Sequence, residues 1–199
     1  MLNRVTVRTL CVGLLSMAGV ALLGERVASA AGGHYRSMCG APKTPGKKRC
    51  FGQILVDDQD KPIIFVAGGT GFAPIKAVIE HAFNHQVERP MVLYWGVRSL
   101  KDLYLPNLPG EWQRQHRNFT FIPVLSDPLP EDHWPGRTGF VHKAVMTDFT
   151  DLSGYQIYTC GGPGMIDIAR REFIAERALP PEEFFADAFT YAAQTEAPA

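Results

Sequence analysis

The sequence has no excess of charge of either sign and no extended basic run. Its 199 residues carry 20 basic and 20 acidic side chains, and only "KKR" interrupts their even spread. Nucleic-acid-binding domains usually present a basic patch, so this composition argues against nucleic acid as a partner. With 46% apolar residues, the chain can bury one ordinary core. We therefore expect one compact domain with a small ligand.

The usual metal-ligand and redox spacings are also missing. None of the four cysteines lies in a CxxC pair, which leaves neither a zinc site nor a thioredoxin-type motif. His81 and His85 share a helical face, but "HAFNH" lacks the glutamate of HExxH, so we predict no metal site. Cys39 and Cys50 can form a disulfide in an oxidising compartment and stay free thiols in a reducing one.

The first 60 residues differ from the rest of the chain. Two arginines precede the uncharged stretch "TLCVGLLSMAGVALLG", and "ASA" has the spacing of a signal-peptidase site. We interpret residues 1–30 as a signal-like or hydrophobic leader. Residues 31–60 are rich in Gly, Pro and Lys and show no periodicity, which predicts a linker or disordered arm.

Residues 61–199 alternate short apolar runs with amphipathic stretches. Strands that alternate with helices and are apolar on both faces indicate a parallel sheet covered on both sides. We predict an α/β domain with a five-stranded parallel sheet. The predicted strands are 62–67, 91–96, 119–125, 155–160 and 183–189, and the predicted helices are 73–84, 109–116, 139–149 and 164–177.

A glycine-rich turn, "AGGTGFAPIK", follows the first predicted strand. Ligands of open parallel sheets lie beyond the carboxyl ends of the strands, and backbone without Cβ atoms can approach a phosphate closely. Pro74 suits a first helical turn, whose free N–H groups attract anions. Gly68, Gly69 and Gly71 are therefore candidates for a pyrophosphate cradle, with a purely structural turn as the alternative.

This turn matches neither common nucleotide motif. No GK[ST] follows it, which argues against a P-loop ATPase. From Gly69 the pattern is GxGxxP, with Pro74 in place of the third glycine or alanine of the dinucleotide fingerprint. The second strand is followed by Arg98 rather than an acid. An ordinary Rossmann site is therefore disfavoured.

Four motifs, in this order, resemble the pyridine-nucleotide domain of the ferredoxin-NADP reductase superfamily: "AGGTGFAPIKAVIEH", "LYWGVRSLKDLY", "YTCGGPGMIDIARREF" and "EEFFADAF". The resemblance is strongest to the bacterial branch with CDP-6-deoxy-glucoseen reductase and the aromatic-ring oxygenase reductases. It implies an oxidoreductase that passes hydride from NAD(P)H to FAD. Electrons would then reach an iron-sulfur or ferredoxin-type acceptor.

The same resemblance implies roles for individual residues. It places the GTG turn under the pyrophosphate and nicotinamide, and Cys160 beside the nicotinamide ring. Thr70 and Cys160 are thus the predicted catalytic residues, although a buried Cys at a strand end is a common structural feature. The cofactor contacts predicted at these motifs are Gly68, Gly69, Thr70, Gly71, Pro74, Gly161, Pro163, Met165 and Phe189.

The preference between nucleotides is predicted from "VLSDP". In family members that prefer NADPH, the residue after this serine is often basic, whereas Asp127 follows Ser126 here. A carboxylate repels a phosphate dianion and accepts hydrogen bonds from ribose hydroxyls. Arg98 instead favours NADPH, because a guanidinium can bind the additional phosphate. We predict NADH, with these three residues at its adenosine end.

The flavin half of such a reductase is not visible. Family members carry a flavin-binding β-barrel ahead of this sheet, and some add a plant-type iron-sulfur domain. "HYRS" has the residue types of the flavin signature in the wrong order, and no C-x4-C-x2-C run occurs. We therefore expect FAD to be bound mainly by a domain or chain absent here.

Several explanations of this departure stay open. One explanation is that the chain is the NADH-binding subunit of a two-chain reductase. A second is a truncated or rearranged gene product, and a third is a module that senses NAD(H) without chemistry. A hydrolase with Cys160 as its covalent nucleophile is a remote fourth explanation, since no His or Asp motif accompanies the cysteine. Because NADH is supplied in the cytoplasm, we expect the domain there, with export or membrane anchoring as the alternative.

Overall fold

The computed structural model describes residues 61–189 and the backbone of residues 39–40 and 49–50. All of them belong to the unit that spans residues 34–199. The predicted leader and most of the predicted linker lie outside the described residues. The two short segments, β1 (Cys39–Gly40) and β2 (Arg49–Cys50), pair antiparallel with Cys39 opposite Cys50.

The central sheet has six parallel strands. They are β3 (Ile63–Gly68), β4 (Met91–Val97), β5 (Phe119–Leu125), β6 (Arg137–Thr138), β7 (Gln156–Gly161) and β8 (Phe184–Ala188). Their spatial order is β6–β5–β4–β3–β7–β8, and every neighbouring pair is parallel. The predicted number of five strands was therefore one short. The additional strand, β6, has only two residues, both exposed, so no apolar run marks it in the sequence.

Helices cover both faces of the sheet, as predicted. They are α1 (Phe72–Asn84), α2 (Leu108–Gln115), α3 (Val141–Asp148) and α4 (Pro163–Arg177). Alternate residues of β3 enter two different cores, with Phe65 on the side of α1 and α2 and Val66 on the side of α3 and α4. This is why the strands are apolar throughout. Within residues 61–189, no helix combines the length and apolar character needed to cross a bilayer.

The connections create a switch point at the centre of the sheet. From β3 the chain moves through β4 and β5 toward one edge, and it then returns to place β7 on the other side of β3. Helix α1 follows β3 on one face, whereas α4 follows β7 on the opposite face. Open α/β sheets bind ligands beyond the carboxyl ends of strands that diverge in this way.

A buried polar network holds the opposite, amino edge of the sheet. Arg89 Nη1 donates to the carbonyl oxygen of Lys61 at 2.9 Å and to Gln156 Oε1 at 3.0 Å. Gln156 Nε2 donates to Glu183 Oε2 at 2.9 Å, and Lys61 Nζ pairs with Glu183 Oε1 at 2.9 Å. These residues join the starts of four adjacent strands, which leaves the carboxyl edge as the place for a ligand.

Candidate functional site

The turn between β3 and α1 lies against the end of β7. A Cβ atom on Gly71 would lie 2.1 Å from the carbonyl oxygen of Cys160. A Cβ atom on Gly68 would lie 2.5 Å from the sulfur of Met165, and one on Gly161 would lie 2.8 Å from the Met165 methyl carbon. Glycine at these positions therefore lets two strand ends meet. The motifs "GGTG" and "CGGPGM", far apart in the sequence, form one surface.

Aromatic side chains hold this turn from beneath. Trp95 Nε1 donates to the carbonyl oxygen of Gly69 at 2.9 Å, and the Phe72 ring stacks on Trp95 with centroids 3.9 Å apart. Gly69 has φ +54°, which favours glycine, while Thr70 is exposed. A Cβ atom on Gly69 would meet nothing within 4 Å. The turn is thus fixed on its inner side and open on its outer side.

A cleft of about 380 Å³ opens beside the turn. Two apolar side chains on its wall are exposed, Phe140 by 68% and Ile168 by 38%. Exposed apolar surface next to a few polar groups is typical of a small-molecule site. The lining residues are Gly69, Gly96, Val97, Arg98, Ser126, Gly139, Phe140, Val141, His142, Met165 and Ile168.

Arg98 and Asp127, at the ends of adjacent strands, form an ion pair. The Arg98 Nε and Nη2 atoms donate to Asp127 Oδ2 at 3.1 and 3.0 Å. The backbone N–H of Asp127 donates to the carbonyl oxygen of Arg98 at 2.8 Å. The two side chains are 79% and 59% exposed, so the pair is weak and a ligand can rearrange it. Arg98, which is predicted to attract a phosphate, and Asp127, which is predicted to repel it, are therefore paired with each other.

Cys160 lies behind the turn rather than in the cleft. It is 0% exposed, and burial raises the pKa of its thiol to about 12. Asp187 on β8 is its neighbour across the sheet, is 9% exposed, and has its own pKa raised by burial. No hydrogen bond or ion pair reaches the Asp187 carboxylate from residues 61–189. The thiol is therefore neutral and packed, not a nucleophile.

The remaining predicted contacts occupy different places. Phe189 donates its N–H to the carbonyl oxygen of Gly161 at 3.1 Å, so it continues β8 beside the end of β7. Pro74 lies half-buried in the first turn of α1, and Pro163 begins α4 and is exposed. Neither proline lines the cleft. The predicted residues that do are Gly69, Arg98, Ser126 and Met165.

Sequence reasoning missed the α3 side of the cleft. Phe140 and His142 were assigned to a helix without any role, although "TGFVHK" places a large aromatic residue directly before that helix. Ile168 could not be distinguished in the sequence from the other apolar residues of α4. The sequence signal lies at Phe140, a large aromatic residue that follows a glycine directly before the helix. In the structure this glycine, Gly139, has φ +101°. No group of three or more potential metal ligands forms within the described part of the chain.

The family model of the oxidoreductase NAD-binding domain matches residues 65–171. The chain belongs to this family. The NAD-binding domain is 41% identical over 138 residues to the CDP-6-deoxy-L-threo-D-glycero-4-hexulose-3-dehydrase reductase of Yersinia pestis, covering 69% of this chain and 41% of that protein. It is 33% identical over 150 residues to an NAD(P)H-flavin reductase of Aliivibrio fischeri, covering 70% and 62%.

Among solved structures, the NAD-binding domain is similar to the Amycolatopsis cytochrome P450 reductase GcoB, at 31% identity and a TM-score of 0.63. That similarity covers 70% of this chain and 40% of GcoB. The chain spans less than two thirds of the length of each of these relatives. The predicted family and parallel-sheet fold are confirmed.

Proposed function

We propose that this domain binds NADH at the carboxyl edge of its sheet and presents it to FAD held by another domain or chain. The observation that carries the proposal is the contact between the GGTG turn and the end of β7, beside an apolar cleft. The names of the relatives describe a dehydrase reductase, a flavin reductase and a P450 reductase, which supports an electron-transfer role. The onward acceptor we propose is an iron-sulfur or ferredoxin-type protein.

The residues present fit a dinucleotide. Cβ atoms on Gly69, Gly162 and Gly164 would meet nothing within 4 Å, so the backbone at the turn and at the start of α4 is accessible. In the first turn of the 15-residue α4, Pro163 has no N–H and the N–H groups of Met165 and Ile166 donate to the carbonyl oxygen of Gly162. Gly164 is therefore the residue of this turn that offers its N–H to a phosphate. Arg98 and Ser126 add side-chain donors at the other end of the cleft. We assign the pyrophosphate to the turn and the start of α4.

The apolar wall suits a purine base. The exposed Phe140 ring offers a stacking surface, and Ile168 and Met165 face it across the cleft. Asp127 stands at the ribose end, where its carboxylate accepts hydroxyl hydrogen bonds and already neutralises Arg98. A further phosphate there would meet a carboxylate and an occupied guanidinium, which favours NADH over NADPH.

The chain's contribution to hydride transfer is orientation. Bound NADH supplies the hydride, and the fold holds its reactive end near the exposed hydroxyl of Thr70. The backbone of Cys160 packs against Gly71 of this turn, and its thiol is neutral because burial raises its pKa to about 12. Neither residue needs to ionise for this role.

Ferricyanide reduction by the full chain with NADH and added FAD tests the function. Steady turnover is expected, and Thr70→Val should lower it by about 10-fold, since one hydrogen bond made at the reacting end is lost. Thr120→Val, at an exposed threonine of β5, is the matched control and should have no effect. NADH binding without turnover would instead support a flavin-less NAD(H)-binding module.

The preference for NADH over NADPH can be tested by substitutions in the Arg98–Asp127 ion pair. Asp127→Asn removes the carboxylate and frees the Arg98 guanidinium, so the affinity ratio should shift toward NADPH by about 10-fold. Adding Arg98→Gln to this variant should cancel the shift. Titration of each variant with both nucleotides measures the ratio, and a ratio that does not move contradicts the assignment.

A further inference from the structure

Glu172 connects the two helices that form the apolar wall of the cleft. The wall is divided, because Phe140 and Val141 lie at the start of α3 whereas Met165 and Ile168 belong to α4. Glu172 follows Ile168 by four residues and therefore lies on the same face of α4, one turn further along. We propose that the Glu172 carboxylate is a positioning group that sets the separation of α3 and α4, and thereby the affinity for the nucleotide base.

The carboxylate contacts two consecutive residues of α3. Glu172 Oε2 lies 3.2 Å from His142 Nε2 and 2.8 Å from Lys143 Nζ. The side chains of Glu172 and His142 are only 13% and 6% exposed. The adjacent Lys143 ammonium holds the pKa of the Glu172 carboxyl below its usual range, so the group is ionised. Charge-assisted contacts at a largely buried carboxylate are stronger than ordinary surface pairs.

The His142 ring is oriented by this contact. Burial lowers the pKa of His142, so the ring is neutral at pH 7 and lies with Nε2 beside the carboxylate. His142 Nδ1 and Glu172 Oε2 are both buried without a hydrogen-bond partner among the described residues, although Oε2 lies close to two nitrogen atoms. Buried polar atoms are rarely left in this state, and each case calls for an explanation. In this case the contact between His142 Nε2 and Glu172 Oε2 fixes the ring, and Nδ1 contributes nothing to its orientation.

The link reaches the base platform within one helical turn. The carbonyl oxygen of Phe140 accepts from the N–H groups of Lys143 and Ala144, at 3.0 and 3.2 Å. The rings of Phe140 and His142 are nearly parallel, with planes 17° apart and centroids 5.9 Å apart. Phe140 and His142 therefore belong to one packed unit at the start of α3. Loss of the Glu172 contact should let this unit drift away from α4 and widen the cleft at its base end.

The experiment compares the two halves of the nucleotide, and it rests on the proposed function. Calorimetry of the full chain measures the Kd for ADP-ribose and for reduced nicotinamide mononucleotide. Glu172→Ala should weaken ADP-ribose binding by about 10-fold and leave the mononucleotide within about 2-fold. Glu172→Gln should keep ADP-ribose within about 3-fold, because its amide oxygen takes the place of the carboxylate oxygen beside His142 Nε2 and Lys143 Nζ. The exposed Glu176, one turn further along, provides the control, and Glu176→Ala should change neither Kd.

The possible outcomes separate this inference from the proposed function. If the unmodified chain binds neither ligand, the proposed function fails. If it binds both and Glu172→Ala retains full affinity for ADP-ribose, the role of Glu172 is refuted. Equal losses for both ligands would also refute it, because they would indicate a general loosening of the fold. Should Glu172→Ala not fold, Lys143→Met, at a residue that does not line the cleft, breaks the link from the α3 side and must show the same split.

Discussion

Alanine at two glycines of the β3–α1 turn should separate stability from binding. At Gly71 the added Cβ would lie 2.1 Å from the carbonyl oxygen of Cys160, 2.5 Å from its carbonyl carbon and 2.9 Å from the nitrogen of Gly161. All three are backbone atoms of β7, so only movement of the turn can relieve the overlap. Overpacking of this kind lowers the free energy of unfolding by about 3 kcal/mol. For a domain of this size, Gly71→Ala should lower Tm by about 6–12 °C.

At Gly69 the same change has a different consequence. The added Cβ would meet nothing within 4 Å, and the only stability cost is a φ of +54° for a residue with a side chain. That strain lowers the free energy of unfolding by about 1 kcal/mol, or about 2–4 °C in Tm. The methyl group would, however, occupy open space where we place the pyrophosphate. Gly69→Ala should therefore weaken NADH binding by about 10-fold, which corresponds to about 1.4 kcal/mol.

Circular dichroism during thermal and urea unfolding measures the first effect, and an NADH titration below both transitions measures the second. The two variants are controls for each other, since they carry the same methyl group two residues apart. The reasoning is refuted if Gly71→Ala is as stable as Gly69→Ala. It is equally refuted if Gly69→Ala binds NADH as tightly as the unmodified chain.

Three further predictions concern buried groups near the site. The Thr159 hydroxyl is buried without a hydrogen-bond partner among the described residues, so Thr159→Val should raise the free energy of unfolding by about 1 kcal/mol in urea at an unchanged m value; a decrease would reveal a hidden partner. Burial raises the pKa of Asp187, so its unfavourable contribution is absent below the unfolded pKa and grows as the pH rises toward the folded pKa; Asp187→Asn should therefore raise Tm at pH 7 and leave it unchanged at pH 3, and a gain at both pH values would contradict the argument. Because burial raises the pKa of Cys160 to about 12, peptide mapping after iodoacetamide treatment at pH 8 should show it reacting at least about 100-fold more slowly in the native chain than in urea, and fast native alkylation would place the thiol at the surface.

The strands and helices were predictable because each carries its own apolar pattern. The strands β3, β4, β5, β7 and β8 are buried on both faces, and a sheet covered by helices requires that pattern. Strand β6 has no such pattern, since Arg137 and Thr138 are both exposed. It joins the edge because its backbone pairs with Val124 and Leu125, a tertiary effect that composition does not record.

The candidate site was only half predictable for a related reason. The glycine turn and "CGG" follow buried strands directly, so their place at the carboxyl edge follows from local sequence. The pairing of Arg98 with Asp127 depends on β4 and β5 being neighbours, and the cleft wall at Phe140 depends on how α3 approaches α4. The burial of Cys160 depends on which face of β7 it occupies, and α1 covers that face.

Hydrogen exchange of the full chain with and without NADH tests the central claim most directly. Slower exchange is predicted at the carboxyl edge, in the turn at Gly69–Gly71, the Arg98 and Asp127 loops, and the starts of α3 and α4. No change is predicted at the amino edge around Arg89 and Gln156. Protection at the amino edge, or none at the carboxyl edge under saturating NADH, would contradict the account.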